Sequence, residues 1–140
     1  MKIALAASCL ALALASGSSA SEPTADRTLL RGSDCLKPSD VRNWTDIDAH
    51  TLLVDGGRLQ YLVKVSGSCS AISYSPTLLF RGNPVSDRVC GGVGDVVITK
   101  DYRCNIASME VLDKQKYDEL LDQHELNRKQ KRTASKSGTP

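Results

Sequence analysis

From Thr51 onward the chain is built of short runs in which apolar and polar residues alternate, the period of a strand with one buried face. Thr51 to Val54 meets Asp55-Gly56-Gly57, a turn, and then Leu59, Tyr61, Val63 and Val65 alternate with Gln60, Leu62 and Lys64 until Gly67 ends the run. This pattern predicts a hairpin. Leu78 and Phe80 alternate with Leu79 and Arg81, Gly82-Asn83-Pro84 turns the chain, and Val85, Asp87 and Val89 lead into Cys90. Gly91, Gly92 and Gly94 interrupt before a run from Asp95 to Thr99; Lys100-Asp101 turns again, and Arg103 to Leu112 forms the last run. Six short strands at a spacing of roughly ten residues predict an antiparallel sheet that must pack on another layer or close on itself. The expected fold is mainly β, a small antiparallel β-barrel or curled sheet.

The period then changes. Tyr117, Leu120, Leu121 and His124 fall at i, i+3, i+4 and i+7, with Asp113, Asp118 and Glu119 toward one end and Arg128 and Lys129 past the other. That is a C-terminal helix whose charges oppose its dipole. Its apolar stripe is narrow, so the helix is expected to lie on the barrel or over its mouth. Before Thr51 the pattern is less regular. Pro38-Ser39-Asp40 followed by Val41, Trp44 and Ile47 reads either as one helical turn capped by Ser39 or as an extended segment docked by Trp44.

The N-terminus carries an export pattern: after Met1 and Lys2, Ile3 to Ala15 is apolar apart from Ser8, and small residues lead to Ser18-Ser19-Ala20. The expected organisation is a signal peptide over 1–20, a flexible lead-in over 21–34, one domain over 35–126 and a basic disordered tail over 127–140, the mature chain beginning at Ser21. Cys9 falls within the apolar run; Ala6-Ala7-Ser8-Cys9 faintly resembles a lipidation site, but only eight residues precede it. Removal of 1–20 leaves Cys35, Cys69, Cys90 and Cys104, an even number suited to two disulfides in an oxidising compartment. The protein is thus expected to be exported, to a bacterial periplasm or the extracellular space. No further apolar run reaches the roughly 18 residues a membrane span needs. With a single Trp (Trp44) and a single Phe (Phe80), the core must be largely aliphatic, and two bridges would supplement it. Of the three pairings, Cys69 with Cys90 and Cys35 with Cys104 is favoured, because Cys69 and Cys90 both end strands at turn-rich corners and Cys35 would tie the irregular N-terminal segment to the last strand.

Charge changes the picture at one end only. Residues 21–126 hold 12 Lys/Arg against 16 Asp/Glu, a balance of −4, while residues 127–140 hold Arg128, Lys129, Lys131, Arg132 and Lys136 and no acid, a balance of +5. Arg128, Lys129, Lys131 and Arg132 are the anion-binding candidates, with anionic lipid head groups or envelope polymers as counterparts. Nucleic acid is not an expected partner, since few aromatic side chains are available for stacking.

Catalytic and cofactor chemistry finds little support. The cysteine spacings of 34, 21 and 14 residues contain no C-x-x-C metal knuckle, and no metal or other cofactor is expected. Cys90-Gly91-Gly92-Val93-Gly94-Asp95 has the glycines of a phosphate loop but neither the Lys-Ser/Thr nor the helix that should follow, and is read as a glycine-rich turn or bulge. Asp46, Asp48 and Asp55 fit no calcium loop and are read as solvated loop acids. His50 and His124, the only histidines, are read as surface or interfacial residues. Asn43-Trp44-Thr45 matches a glycosylation acceptor, relevant only in a eukaryotic host.

Trp44 with Asp46 and Asp48, Thr51-Leu52-Leu53-Val54 with Tyr61-Leu62-Val63, Gly67 and Cys69, Cys90 before Gly94-Asp95, and Cys104-Asn105-Ile106 carry a resemblance over Cys35 to Leu112. The segment resembles a bacterial family of small secreted proteins known only as a domain of unknown function. The resemblance implies a shared fold and disulfide framework, brings no activity with it, and leaves the basic tail outside. The expected function is that of a small exported binding or structural protein without catalysis, its partner an unidentified protein or envelope polymer. The alternatives are an inhibitor of an envelope-targeting hydrolase, a surface-associated protein using the basic tail, and a small hydrolase using Asp46 and Asp48 with His50.

Overall fold

A computed structural model of the chain describes residues 28–67 and 69–138. The signal peptide, Cys9, the first part of the lead-in and the last two residues of the tail lie outside the described residues. Six strands, β1 (Asn43–Asp48), β2 (Thr51–Asp55), β3 (Gln60–Val65), β4 (Leu79–Arg81), β5 (Val96–Ile98) and β6 (Arg103–Leu112), form one sheet in the order β1-β2-β3-β6-β5-β4. Every neighbouring pair is antiparallel. The sheet is curled into a half-barrel, as the alternating pattern predicts.

The six strands are not the six expected. β1 is the extended segment that Trp44 docks, whereas Val85 to Val89 is no strand. Asn83 redirects that stretch: its Oδ1 accepts the Val85 N–H at 3.0 Å and its carbonyl accepts from Ser86 and Asp87, leaving Val85 93 % exposed. Only the isolated bridges Asn83–Arg88 and Leu36–Val89 remain. An Asn followed by Pro favours such a turn over continued extension.

The ten-residue β6 is shared, its first part pairing with β5 and its remainder with β3. Lys64 stands opposite Ser108 and Val65 opposite Ile106, so Ala107 is the extra residue of a bulge. Strict alternation from Cys104 and Ile106 would turn Glu110 inward. The bulge reverses the phase, so that Met109 enters the main core and Glu110 stays exposed.

That core fills the curl with Leu36, Leu52, Val54, Tyr61, Val63, Ile72, Phe80, Val89, Val97, Ile106 and Met109. Each fully buried aliphatic side chain contributes about 1.5–3 kcal/mol. A smaller cluster of Leu53, Leu112 and Tyr117, flanked by Ile47, Leu62, Leu120 and Leu121, lies on the other face beneath the helix. β2 is covered on both faces, which explains its uninterrupted Leu52-Leu53-Val54 run.

The bridges are Cys35–Cys90 and Cys69–Cys104, so the favoured pairing of Cys69 with Cys90 and Cys35 with Cys104 is corrected. Leu36 and Val89 exchange both backbone hydrogen bonds at 2.9 Å, which sets the neighbouring Cys35 and Cys90 side by side with Cα atoms 4.6 Å apart. Cys69 opens a 3₁₀ turn, Ser70–Tyr74, beside β6 and reaches Cys104 across a Cα separation of 6.1 Å. The loops closed span 55 and 35 residues, each worth roughly 4 kcal/mol in chain entropy. The described end of the lead-in is also docked: Leu30 packs on the core and its N–H donates to the Cys90 carbonyl at 3.0 Å.

The helix α1 runs from Lys114 to Ser137, capped by Asp113, whose side chain accepts the Lys116 N–H at 2.8 Å. The expected disordered tail is therefore corrected over its described residues. Residues 127–137 contain neither Gly nor Pro, and Arg, Lys, Gln and Ala there are strong helix formers, so the helix continues to Gly138. Among the described residues no helix is long and apolar enough to cross a membrane.

Candidate functional site

The glycine-rich turn after Cys90 has the anion-cradling geometry that its composition suggests, and it is filled from within. Asp95, 3 % exposed, directs Oδ2 into the turn, where it accepts the backbone N–H groups of Cys90, Gly91 and Gly92 at 2.8, 2.9 and 2.9 Å. Gly91 adopts φ +86°, and a Cβ there would stand 3.0 Å from the Met109 backbone nitrogen, so only glycine fits. The turn thus braces the Cys35–Cys90 bridge with an internal carboxylate where a phosphate loop would hold its ligand.

Asp46, Asp48 and His50 are close in sequence but not joined through their side chains. Asp48 Oδ1 accepts the His50 backbone N–H at 2.7 Å, closing the β1–β2 turn. His50 Nδ1 lies 2.6 Å from the Gly67 carbonyl oxygen; a carbonyl can only accept, so Nδ1 carries the proton. Asp46 stays within β1 opposite Leu52. Asp55 accepts the Gly57 N–H at 2.8 Å in the hairpin turn, where Gly57 has φ +76°. His124 is half-buried on α1. Among the described residues no three His, Cys, Asp or Glu side chains gather into a metal site.

The anion-binding candidates stand together on the far part of α1. From Glu125 to Gly138 every residue is exposed, a projection of about 20 Å at 1.5 Å per residue. Arg128, Arg132 and Lys136 recur at i, i+4 and i+8, with Lys129 and Lys131 flanking them, so the five cations occupy little more than one face. Leu126, Gln130, Thr133 and Ala134 take the opposite side. Lys129 pairs with Glu125 at 3.9 Å, a solvent-exposed contact worth little.

A groove of about 600 Å³ escaped sequence reading. It runs between the Ser70–Tyr74 turn and the β5–β6 connection, with Cys69 and Cys104 in its wall and Tyr74 and Tyr102 on it. Those two rings are 86 % and 64 % exposed, whereas Tyr61 and Tyr117 are buried, and burial pushes the hydroxyls of the latter pair above the usual tyrosine range. The signal was present: Ser73-Tyr74-Ser75-Pro76 and Lys100-Asp101-Tyr102-Arg103 each set an aromatic ring among turn-forming or charged residues, outside any apolar stripe.

No match was found among curated proteins or among solved structures. A family model does match, and it reaches beyond the resembling segment Cys35 to Leu112 in both directions, taking in Arg128 and Lys129 of the basic stretch. With residues 1–130 matched, a span that includes the whole sheet, both bridges and most of the helix, the chain belongs to the Family of unknown function (DUF6491).

Proposed function

We propose that the protein is an exported, non-enzymatic binding protein held reversibly against anionic lipid surfaces by the basic half of α1. The observation that carries this reading is the projection of Arg128, Lys129, Lys131, Arg132 and Lys136 away from a sheet domain whose own charges balance, nine Lys/Arg against nine Asp/Glu over 28–112. Each cation near an anionic surface contributes about 1 kcal/mol, whereas the neutral sheet and the acidic first half of α1 gain nothing there, so the attraction is confined to the projecting end of the helix. The helix face opposite the cations carries Leu126 as its one large apolar residue, too little to insert. Attachment is therefore peripheral and sensitive to salt. Export is supported by the apolar N-terminal run and by two bridges of the kind that persist in oxidising compartments. The non-enzymatic reading is supported by the backbone partners of Asp48, His50 and Asp95.

Co-sedimentation with phosphatidylcholine vesicles, with and without phosphatidylglycerol, tests the reading. Binding is expected only to the anionic vesicles, to fall as salt shortens the Debye length from about 10 Å at 0.1 M to about 3 Å at 1 M, and to be lost when Arg128, Lys129, Lys131 and Arg132 are all replaced by Gln. Equal binding to neutral vesicles, or an unaffected quadruple variant, overturns it.

A further inference from the structure

We propose that the groove between the Ser70–Tyr74 turn and the β5–β6 connection is a binding site for an extended acidic oligosaccharide, independent of the basic helix. Tyr74 and Tyr102 are exposed on a constrained backbone. The Tyr102 N–H donates to Thr99 Oγ1 at 3.0 Å, and the Tyr102 carbonyl accepts from the Thr99 N–H at 2.9 Å. Tyr74 ends a turn pinned by the fully buried Ile72, whose N–H donates to the Cys69 carbonyl at 3.1 Å. The Cys69–Cys104 bridge joins the two walls. The backbone that carries the two rings is thus fixed before any ligand arrives, which lowers the ordering cost of binding to that of the side chains.

The rest of the groove selects among ligands. A site for an apolar small molecule is enclosed and mostly hydrophobic, whereas this one is an open trough whose lining includes serine, threonine and asparagine. Hydroxyl and amide groups of this kind both donate and accept, matching a polyhydroxylated chain. The C–H-rich face of a sugar ring lies well on the negative face of a tyrosine. Lys100 and Arg103 outweigh Asp101 by one charge, which favours a carboxylated chain over a neutral one. A single-stranded DNA would offer the serine, threonine and asparagine lining no run of hydroxyl groups.

Amide chemical-shift titration of the disulfide-bonded chain with hexagalacturonate, with neutral cellohexaose and with oligo-dT separates the possibilities. Hexagalacturonate is expected to shift residues 70–76 and 99–105 and to bind more tightly than cellohexaose. Tyr74→Ala and Tyr102→Ala should each weaken it roughly tenfold without changing the thermal midpoint, and Lys100→Gln with Arg103→Gln should abolish the preference over cellohexaose. Shifts confined to residues 125–137, tighter binding of oligo-dT, unchanged affinity in both tyrosine variants, or no shift with either sugar overturns the proposal.

Discussion

Asp95 Oδ2 accepts the Gly91 backbone N–H at 2.9 Å, the middle of three such bonds that wrap a glycine turn around a buried carboxylate. Asp95→Ala strands the buried Gly91 donor and the part-buried donors of Cys90 and Gly92, and is expected to cost about 2–4 kcal/mol, a large share of a small domain's stability. Asp95→Asn keeps an acceptor without the charge and should cost about 1–2 kcal/mol. Urea unfolding of the two variants measures the difference; equal and small losses would mean that the turn holds itself.

The bridges give a second expectation. Non-reducing peptide mapping should join the Cys35 peptide to Cys90 and the Cys69 peptide to Cys104, and removal of either pair as a double alanine variant should cost about 2–5 kcal/mol. A peptide joining Cys69 to Cys90 would contradict the packing of Leu36 on Val89.

Alkaline pH supplies a third. Burial raises the hydroxyl pKa of Tyr61 and Tyr117 in the folded protein, so the unfolded chain, whose tyrosines ionise near pH 10, loses those protons first. Their contribution is complete below about pH 10 and is lost as pH rises through the folded values. Thermal midpoints measured from pH 8 upward should fall beyond that point, and fall less in Tyr61→Phe and Tyr117→Phe.

The helix should behave as two halves. Residues 114–124 share the Leu53–Leu112–Tyr117 cluster, while residues 125–137 rest on propensity alone. Hydrogen exchange is expected to be slow in the first half and fast in the second. Tyr117→Ala should cost about 3 kcal/mol and speed exchange in the first half; uniform protection along the helix would mean that its projecting end is covered.

Legibility in the sequence followed the range of the interactions. The β2–β3 hairpin was readable because Asp55-Gly56-Gly57 and the alternation beside it act over a few residues, and the first half of α1 because Tyr117, Leu120, Leu121 and His124 recur at helical spacing. Val85 to Val89 imitated a strand with its spaced valines, while the side-chain bond from Asn83 that overrides them leaves no periodic trace. Ala107 likewise carries no mark of a bulge; its role appears only when Glu110 must stay out of the core. The cysteine pairing rests on Leu36 meeting Val89 across half the chain, and the groove tyrosines interrupt polar stretches that periodicity passes over.

The order in which the bridges interleave, first cysteine to third and second to fourth, decides what survives cleavage of the backbone. A cut at any single point between Cys35 and Cys104 leaves one covalent molecule, heavier by a water. Two cuts release only a piece that contains no cysteine, because a fragment carrying Cys69 or Cys90 stays tied to a residue outside it. Had the bridges been nested, one excision could have carried both inner cysteines away together. A peptidase can therefore open the exposed 83–87 turn without separating β4 from β5, and the nicked protein keeps the connectivity of the whole.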